Sequence, residues 1–193
     1  RAGVPASLFQ SVNPIFIITL GPLFAMLWPL LGRRGLEPST PAKFGIALVL
    51  VGLGFLALVW GVVAVGVGNA TPVIFIFLIY FLHTAGELCL SPVGLSAMNR
   101  LAPAHMASLV MGAWFFATAG GNFVAGKIGQ ATGGAEGAAT KELFLSVYQQ
   151  IGWVSVGIGV VVLLLSPFVT RLMHLDTLTD DPKDGDDEGG ARA

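Results

Sequence analysis

Glu87 is a carboxylate set in the middle of a long apolar run, Thr71 to Leu101. A charge at bilayer mid-depth costs about 2.5–3.5 kcal/mol on insertion scales, so such a residue usually faces a bundle interior or a wet cavity. It then marks a path for substrate, ion or proton. The structural alternative is a carboxyl that is protonated or paired with a neighbouring helix. Around it runs Gly86-Glu87-Leu88-Cys89-Leu90-Ser91-Pro92-Val93-Gly94-Leu95-Ser96. At 3.6 residues per turn, Tyr80, His83, Glu87, Ser91 and Gly94 share an arc of roughly 80°. Phe77, Leu78, Leu88 and Leu95 take the opposite side. One polar stripe through an apolar helix is the pattern of a cavity-lining element. Tyr80 and His83 either line that cavity or hydrogen-bond across a helix interface. Ser91, followed by Pro92, lines it or satisfies a carbonyl freed by the proline.

Two other groups of residues could meet a ligand. Trp114, Thr118, Asn122 and Ala125 share one face of a second apolar run. Trp28, Trp60 and Trp153 fall near span ends, as interfacial anchors do. Trp114 does not, so it either walls a cavity or packs in a helix interface. Beside it, Ala113, Ala117, Gly121 and Ala125 recur every fourth residue, a seam that lets another helix approach closely. Gln10, Asn13 and Ile17 share a face of the first run, and Asn13 precedes Pro14. Its amide can cap freed backbone or meet a ligand.

The elements that must position these residues are membrane helices. The chain is 54% hydrophobic and 11% charged, with mean hydropathy +0.80, outside the range of soluble domains. Apolar runs of bilayer length cover five stretches: 9–31, 44–67, 71–101, 106–130 and 151–173. The first contains Pro14, Pro22 and Pro29, which membrane helices accept where neighbours satisfy the freed carbonyls. The second, made of Gly, Leu and Val, reads as packing only. The third exceeds the bilayer, which predicts tilt or a bend near Pro92. Residues 176–193, with Asp176, Asp180, Asp181, Asp184, Asp186, Asp187 and Glu188, read as a disordered acidic tail.

Charge sets the expected orientation. Arg33, Arg34 and Lys43 flank the first connection, Arg100 and His105 the third, and Arg171 closes the last span. The positive-inside rule puts these ends and the tail in the cytoplasm and Arg1 outside. A net charge of -1 without a basic patch gives no reason to expect nucleic-acid binding. The single cysteine, Cys89, can form no internal disulfide and says nothing of redox compartment. Residue 1 is Arg rather than Met, and an external N-terminus with five spans is an odd design; both lead us to expect a longer protein. Hydrolytic chemistry is disfavoured, since Ser91 and His83 lie two turns apart on one helix and cannot meet directly. No spacing typical of metal ligands occurs.

Four strings taken together resemble one family. Phe9-Gln10-Ser11-Val12-Asn13-Pro14, the stretch Pro38 to Phe44 entering a Gly-rich span, Gly86-Glu87 with Ser91-Pro92-Val93-Gly94-Leu95-Ser96, and Met111-Gly112-Ala113-Trp114-Phe115 resemble the proton-dependent oligopeptide transporters. This POT, or peptide transporter, family belongs to the major facilitator superfamily. The resemblance covers about residues 7–175 in order, and it aligns them with helices eight to twelve of a twelve-helix transporter.

The resemblance implies an all-α membrane protein, five helices forming most of the C-terminal six-helix half. It implies a symporter importing di- and tripeptides with protons by alternating access. Asn13 matches an asparagine that contacts the peptide backbone, and Glu87 a glutamate that pairs with the peptide amino terminus. Trp114 matches a tryptophan walling the pocket, with Phe115 beside it, and Ser91 belongs to the same substrate-binding set. No catalytic residue, metal ligand or cofactor is implied, protons serving as coupling ion. The implied partners are small peptides, protons, the lipid bilayer and the N-terminal helices of the same transporter. The helix-one acidic and arginine motif, the helix-seven residues and the bases for the peptide carboxylate have no counterpart in this sequence. Short loops favour a bacterial inner membrane, with the protein multi-pass. Two alternatives stand beside this: a non-transporting assembly or receptor-like component, and a fragment inactive in isolation.

Overall fold

The computed structural model describes residues 11–66, 72–102, 104–133 and 138–172. Every regular element among them is helical: α1 (Val12–Arg33), α2 (Thr40–Val65), α3 (Val73–Leu101), α4 (Ala107–Gly133) and α5 (Ala138–Leu172), with a short 3-10 turn, Ala104–Met106, before α4. All five long helices have the length and apolar composition to cross a membrane. The acidic tail expected over 176–193 lies outside the described residues.

Helix ends follow local chemistry. At the end of α1, Gly35 takes φ 66° while Leu36 N–H donates to the Leu31 carbonyl and Gly35 N–H to that of Gly32. This is the Schellman arrangement, in which glycine adopts the left-handed conformation without a Cβ clash. Pro41 sits in the first turn of α2, where its missing N–H is not needed. Inside α1, Pro22 and Pro29 are carried without ending the helix, as the membrane setting permits.

The centre of the bundle is α2, which packs most extensively on α5 and next on α3. Its glycines decide this. A Cβ on Gly52 would come within 2.7 Å of the Gly152 carbonyl oxygen, and one on Gly45 within 3.0 Å of that of Gly159. The two glycine pairs recur two turns apart along antiparallel helices, so backbone meets backbone along a continuous seam. Lipid tails are as apolar as leucine, so this contact is held by van der Waals packing rather than by the hydrophobic effect. Gly86 of α3 meets the α2 backbone at Ala47 in the same way.

Polar contacts close the end of the bundle that carries Arg33, Arg34 and Lys43. Lys43 is 6% exposed; its Nζ lies 2.5 Å from Glu37 Oε1 and 4.5 Å above the Trp28 ring. The Ser39 and Ser166 hydroxyls, 2.7 Å apart, join the start of α2 to the end of α5.

One helix departs from the apolar-run reading. α5 begins at Ala138 rather than near Ile151, because Phe144 and Tyr148, one turn apart and stacked at 3.9 Å, give that stretch a face to pack. Tyr148 meets Phe55 of α2 at 5.1 Å. α4 docks mainly through its first turns: Ala107, Val110, Met111 and Trp114 are half-buried, and most of the helix beyond them is exposed.

Candidate functional site

Asn13 stands in the first turn of α1 and faces α3. Its Oδ1 accepts a 2.6 Å hydrogen bond from the Thr84 hydroxyl, and Thr84 is 0% exposed. One turn further along α1, Phe16 meets Phe81 edge-on at 5.9 Å. These contacts fix the register of α1 on α3. They also put Asn13 at the level of Thr84, and Glu87 lies three residues on, about 4.5 Å along the helix axis. Glu87 thus lies about one helical turn from the residue that Asn13 bonds, although Asn13 comes from the start of its helix and Glu87 from mid-helix.

Glu87 and Ser91 are both exposed, on the same side of α3 one turn apart. Lys43–Glu37 is the one ion pair among the described residues, so Glu87 has no charged partner among them. An exposed carboxylate at this depth cannot face hydrocarbon without a large desolvation cost. This side of α3 therefore meets a water-filled cavity or another part of the protein.

The rest of the stripe is divided. His83 turns to α2, its Nε2 3.2 Å from the Val51 carbonyl oxygen and its ring 4.7 Å from that of Phe55. An arc of roughly 80° is wide enough for one edge to be covered by a neighbour while the other stays open. Tyr80 and His83 border an aromatic cavity of about 320 Å³ between α2, α3 and α5, with Phe55 and Tyr148 opposite. At the other end Gly94 leaves room for the Trp114 ring, which stands edge-on to Phe44 at 6.4 Å. Phe115 follows Trp114 in sequence but points elsewhere and is 60% exposed.

From Thr84 to Gly94, α3 meets or carries, in order, the Asn13 amide at buried Thr84, the exposed Glu87 carboxylate and Ser91 hydroxyl, and the Trp114 ring at buried Gly94. Ten residues of helix are about 15 Å, and an extended tripeptide spans at most about 11 Å. The row offers acceptors, an amide and an aromatic surface over a length that a short peptide can fill. Sequence reasoning missed Thr84. It lies four residues after Tyr80 and three before Glu87, at the edge of the stripe about 20° beyond Ser91, and that spacing was the available signal.

Five apolar helices, one of them carrying an exposed carboxylate, define a multi-pass membrane protein. The sequence profile of the POT family matches residues 1–153, and the chain belongs to that family, within the major facilitator superfamily. It is 37% identical over 168 residues to the uncharacterized transporter YclF of Bacillus subtilis, covering 87% of this chain and 32% of that protein. With dipeptide and tripeptide permease B of Salmonella typhimurium it shares 28% identity over 170 residues, 86% of this chain and 35% of the permease. A crystal structure of a glutamate-to-glutamine mutant of the peptide transporter POT in complex with alafosfalin superposes with TM-score 0.75 at 34% identity, covering 90% of this chain and 34% of that one. The chain thus spans about a third of the length of these relatives.

Proposed function

We propose that this chain is the C-terminal part of a proton-coupled symporter that imports di- and tripeptides by alternating access across a bacterial inner membrane. Support comes from the family, and from relatives named for this cargo, such as the di-/tripeptide transporter of Lactococcus lactis. The observation that carries the site reading is the Asn13–Thr84 hydrogen bond, which holds an amide on α3 about one helical turn from an exposed carboxylate that has no charged partner among the described residues.

In this reading Glu87 pairs with the peptide ammonium, the one cationic group every short peptide with a free N-terminus shares. Asn13 bonds the peptide backbone and Ser91 supplies a neighbouring hydroxyl. Trp114 gives aromatic surface that accommodates varied side chains without selecting among them. A site of this composition binds and releases; its role is transport rather than catalysis. The cation for the peptide carboxylate comes from helices beyond this segment, as do proton-coupling groups. The N-terminal helices cover the open face of α3, so the site lies between two helical halves, where transporter sites are found.

The experiment is uptake of labelled dialanine into proteoliposomes containing the whole transporter, with and without an inwardly directed proton gradient. Gradient-driven accumulation that unlabelled di- and tripeptides suppress is expected. Uptake that ignores the gradient, or that peptides do not compete for, overturns the reading.

A further inference from the structure

We propose that Thr84 is a positioning residue which fixes the orientation of the Asn13 amide and thereby makes Asn13 a hydrogen-bond donor toward substrate; this rests on the reading of Asn13 as a peptide-binding group. An asparagine amide has an acceptor end and a donor end, and a half-turn about its last side-chain torsion exchanges them. A ligand meeting the carbonyl must donate; one meeting the NH₂ must accept. Asn13 alone does not decide which.

Thr84 does. Its side chain is 0% exposed, so water does not compete for its hydroxyl, whose proton goes to Asn13 Oδ1 at 2.6 Å. With the carbonyl end engaged on α3, the two N–H groups point away from Thr84. Asn13 itself is only half-buried, so the open side of the residue presents donors. The Phe16–Phe81 contact one turn along keeps α1 from sliding and so holds the pair in register. The substrate atom that Asn13 meets is therefore an acceptor, the peptide carbonyl oxygen. Glu87, about one turn away, is itself an acceptor and takes a donor. Thr84 thus gives the site a polarity, which favours a peptide in one direction over the reversed one.

The test compares a dipeptide with its reduced-amide analogue, in which CH₂ replaces the peptide C=O, by competition binding in the whole transporter. Thr84→Val keeps the shape of the side chain and removes the hydroxyl. It is expected to weaken the dipeptide about three- to tenfold, the size of one net hydrogen bond, and the analogue by less than about twofold. Thr84→Ser, which restores the hydroxyl, returns the dipeptide to within about twofold of wild type. Added to Asn13→Ala, Thr84→Val causes no further loss, because the two residues act as one unit. If Thr84→Val does not reach the membrane, Thr84→Ala carries the same comparison. Should Asn13→Ala leave dipeptide affinity unchanged, the site reading fails and this inference with it. Should Asn13→Ala weaken binding while the Thr84 variants do not, or weaken dipeptide and analogue alike, the positioning role is overturned and the site reading stands.

Discussion

The α2–α5 seam makes a quantitative prediction about Gly52. A methyl there would sit 2.7 Å from the Gly152 carbonyl oxygen, 2.7 Å from Val156 Cγ2 and 2.9 Å from Val156 N. Two of these atoms are backbone and cannot swing aside. Ordinary contact begins at 3.4 Å, so the helices must part by roughly half an ångström or more, enough to forfeit about a quarter of the dispersion energy of each affected atom pair. Overpacking of this kind costs about 1–3 kcal/mol. It opposes a gain of up to about 1 kcal/mol from the better helix propensity of alanine. Gly157 is the control: it lies on α5 with nothing within 4 Å of its added methyl, so only the propensity gain operates. Thermal melting of the purified transporter in detergent, followed by size-exclusion chromatography of the fluorescent fusion, reads both. Gly52→Ala should melt below wild type and Gly157→Ala at or above it. If Gly52→Ala melts with or above Gly157→Ala, the backbone-to-backbone seam is refuted.

The Lys43–Glu37 pair should be asymmetric, because the Lys43 side chain is 8% exposed and that of Glu37 42%. Glu37→Gln strands a buried ammonium and should destabilise by about 2 kcal/mol or more, whereas Lys43→Met leaves a carboxylate that water can reach and should cost less; the same melting assay ranks them. Orientation is tested by thiol labelling of intact cells: a cysteine introduced at Asn69 should label from outside and one at Gly35 should not, and the reverse pattern contradicts the assignment.

Much of the architecture was legible because a bilayer leaves few options for long apolar runs. Glu87 stood out for the same reason, being a charge where charges are rare. The faces of the helices were harder to read. In water an apolar stripe announces a buried side, but in lipid both the packed and the outer sides are apolar. Nothing in the pattern distinguishes Gly52, pressed on the α5 backbone, from Gly157, which meets nothing. Hydropathy also missed the early start of α5, since Glu142, Gln149 and Gln150 mask the Phe144–Tyr148 contact that holds it. His83 shared the arc of Glu87 but found a carbonyl on α2, a choice that depends on where α2 lies. Thr84 was overlooked because a threonine in a membrane helix is unremarked and its partner lies 71 residues away. That asparagine was visible in the sequence; its neighbour across the helix interface was not.

In the proposed function, peptide recognition rests on the Glu87 carboxylate meeting the peptide amino terminus. Glu87→Gln keeps size and hydrogen-bonding capacity and removes the charge. Hydrogen bonds to an ionised group are about twice as strong as neutral ones, so a cavity closed around the peptide should lose about tenfold or more in affinity. The measurement is competition at fixed pH in the whole transporter, with a free dipeptide against its N-acetylated counterpart. Glu87→Gln should sharply weaken the free peptide, leave the weakly bound acetylated one nearly unchanged, and so collapse the preference between them. A Glu87→Gln protein that retains the wild-type preference contradicts the pairing.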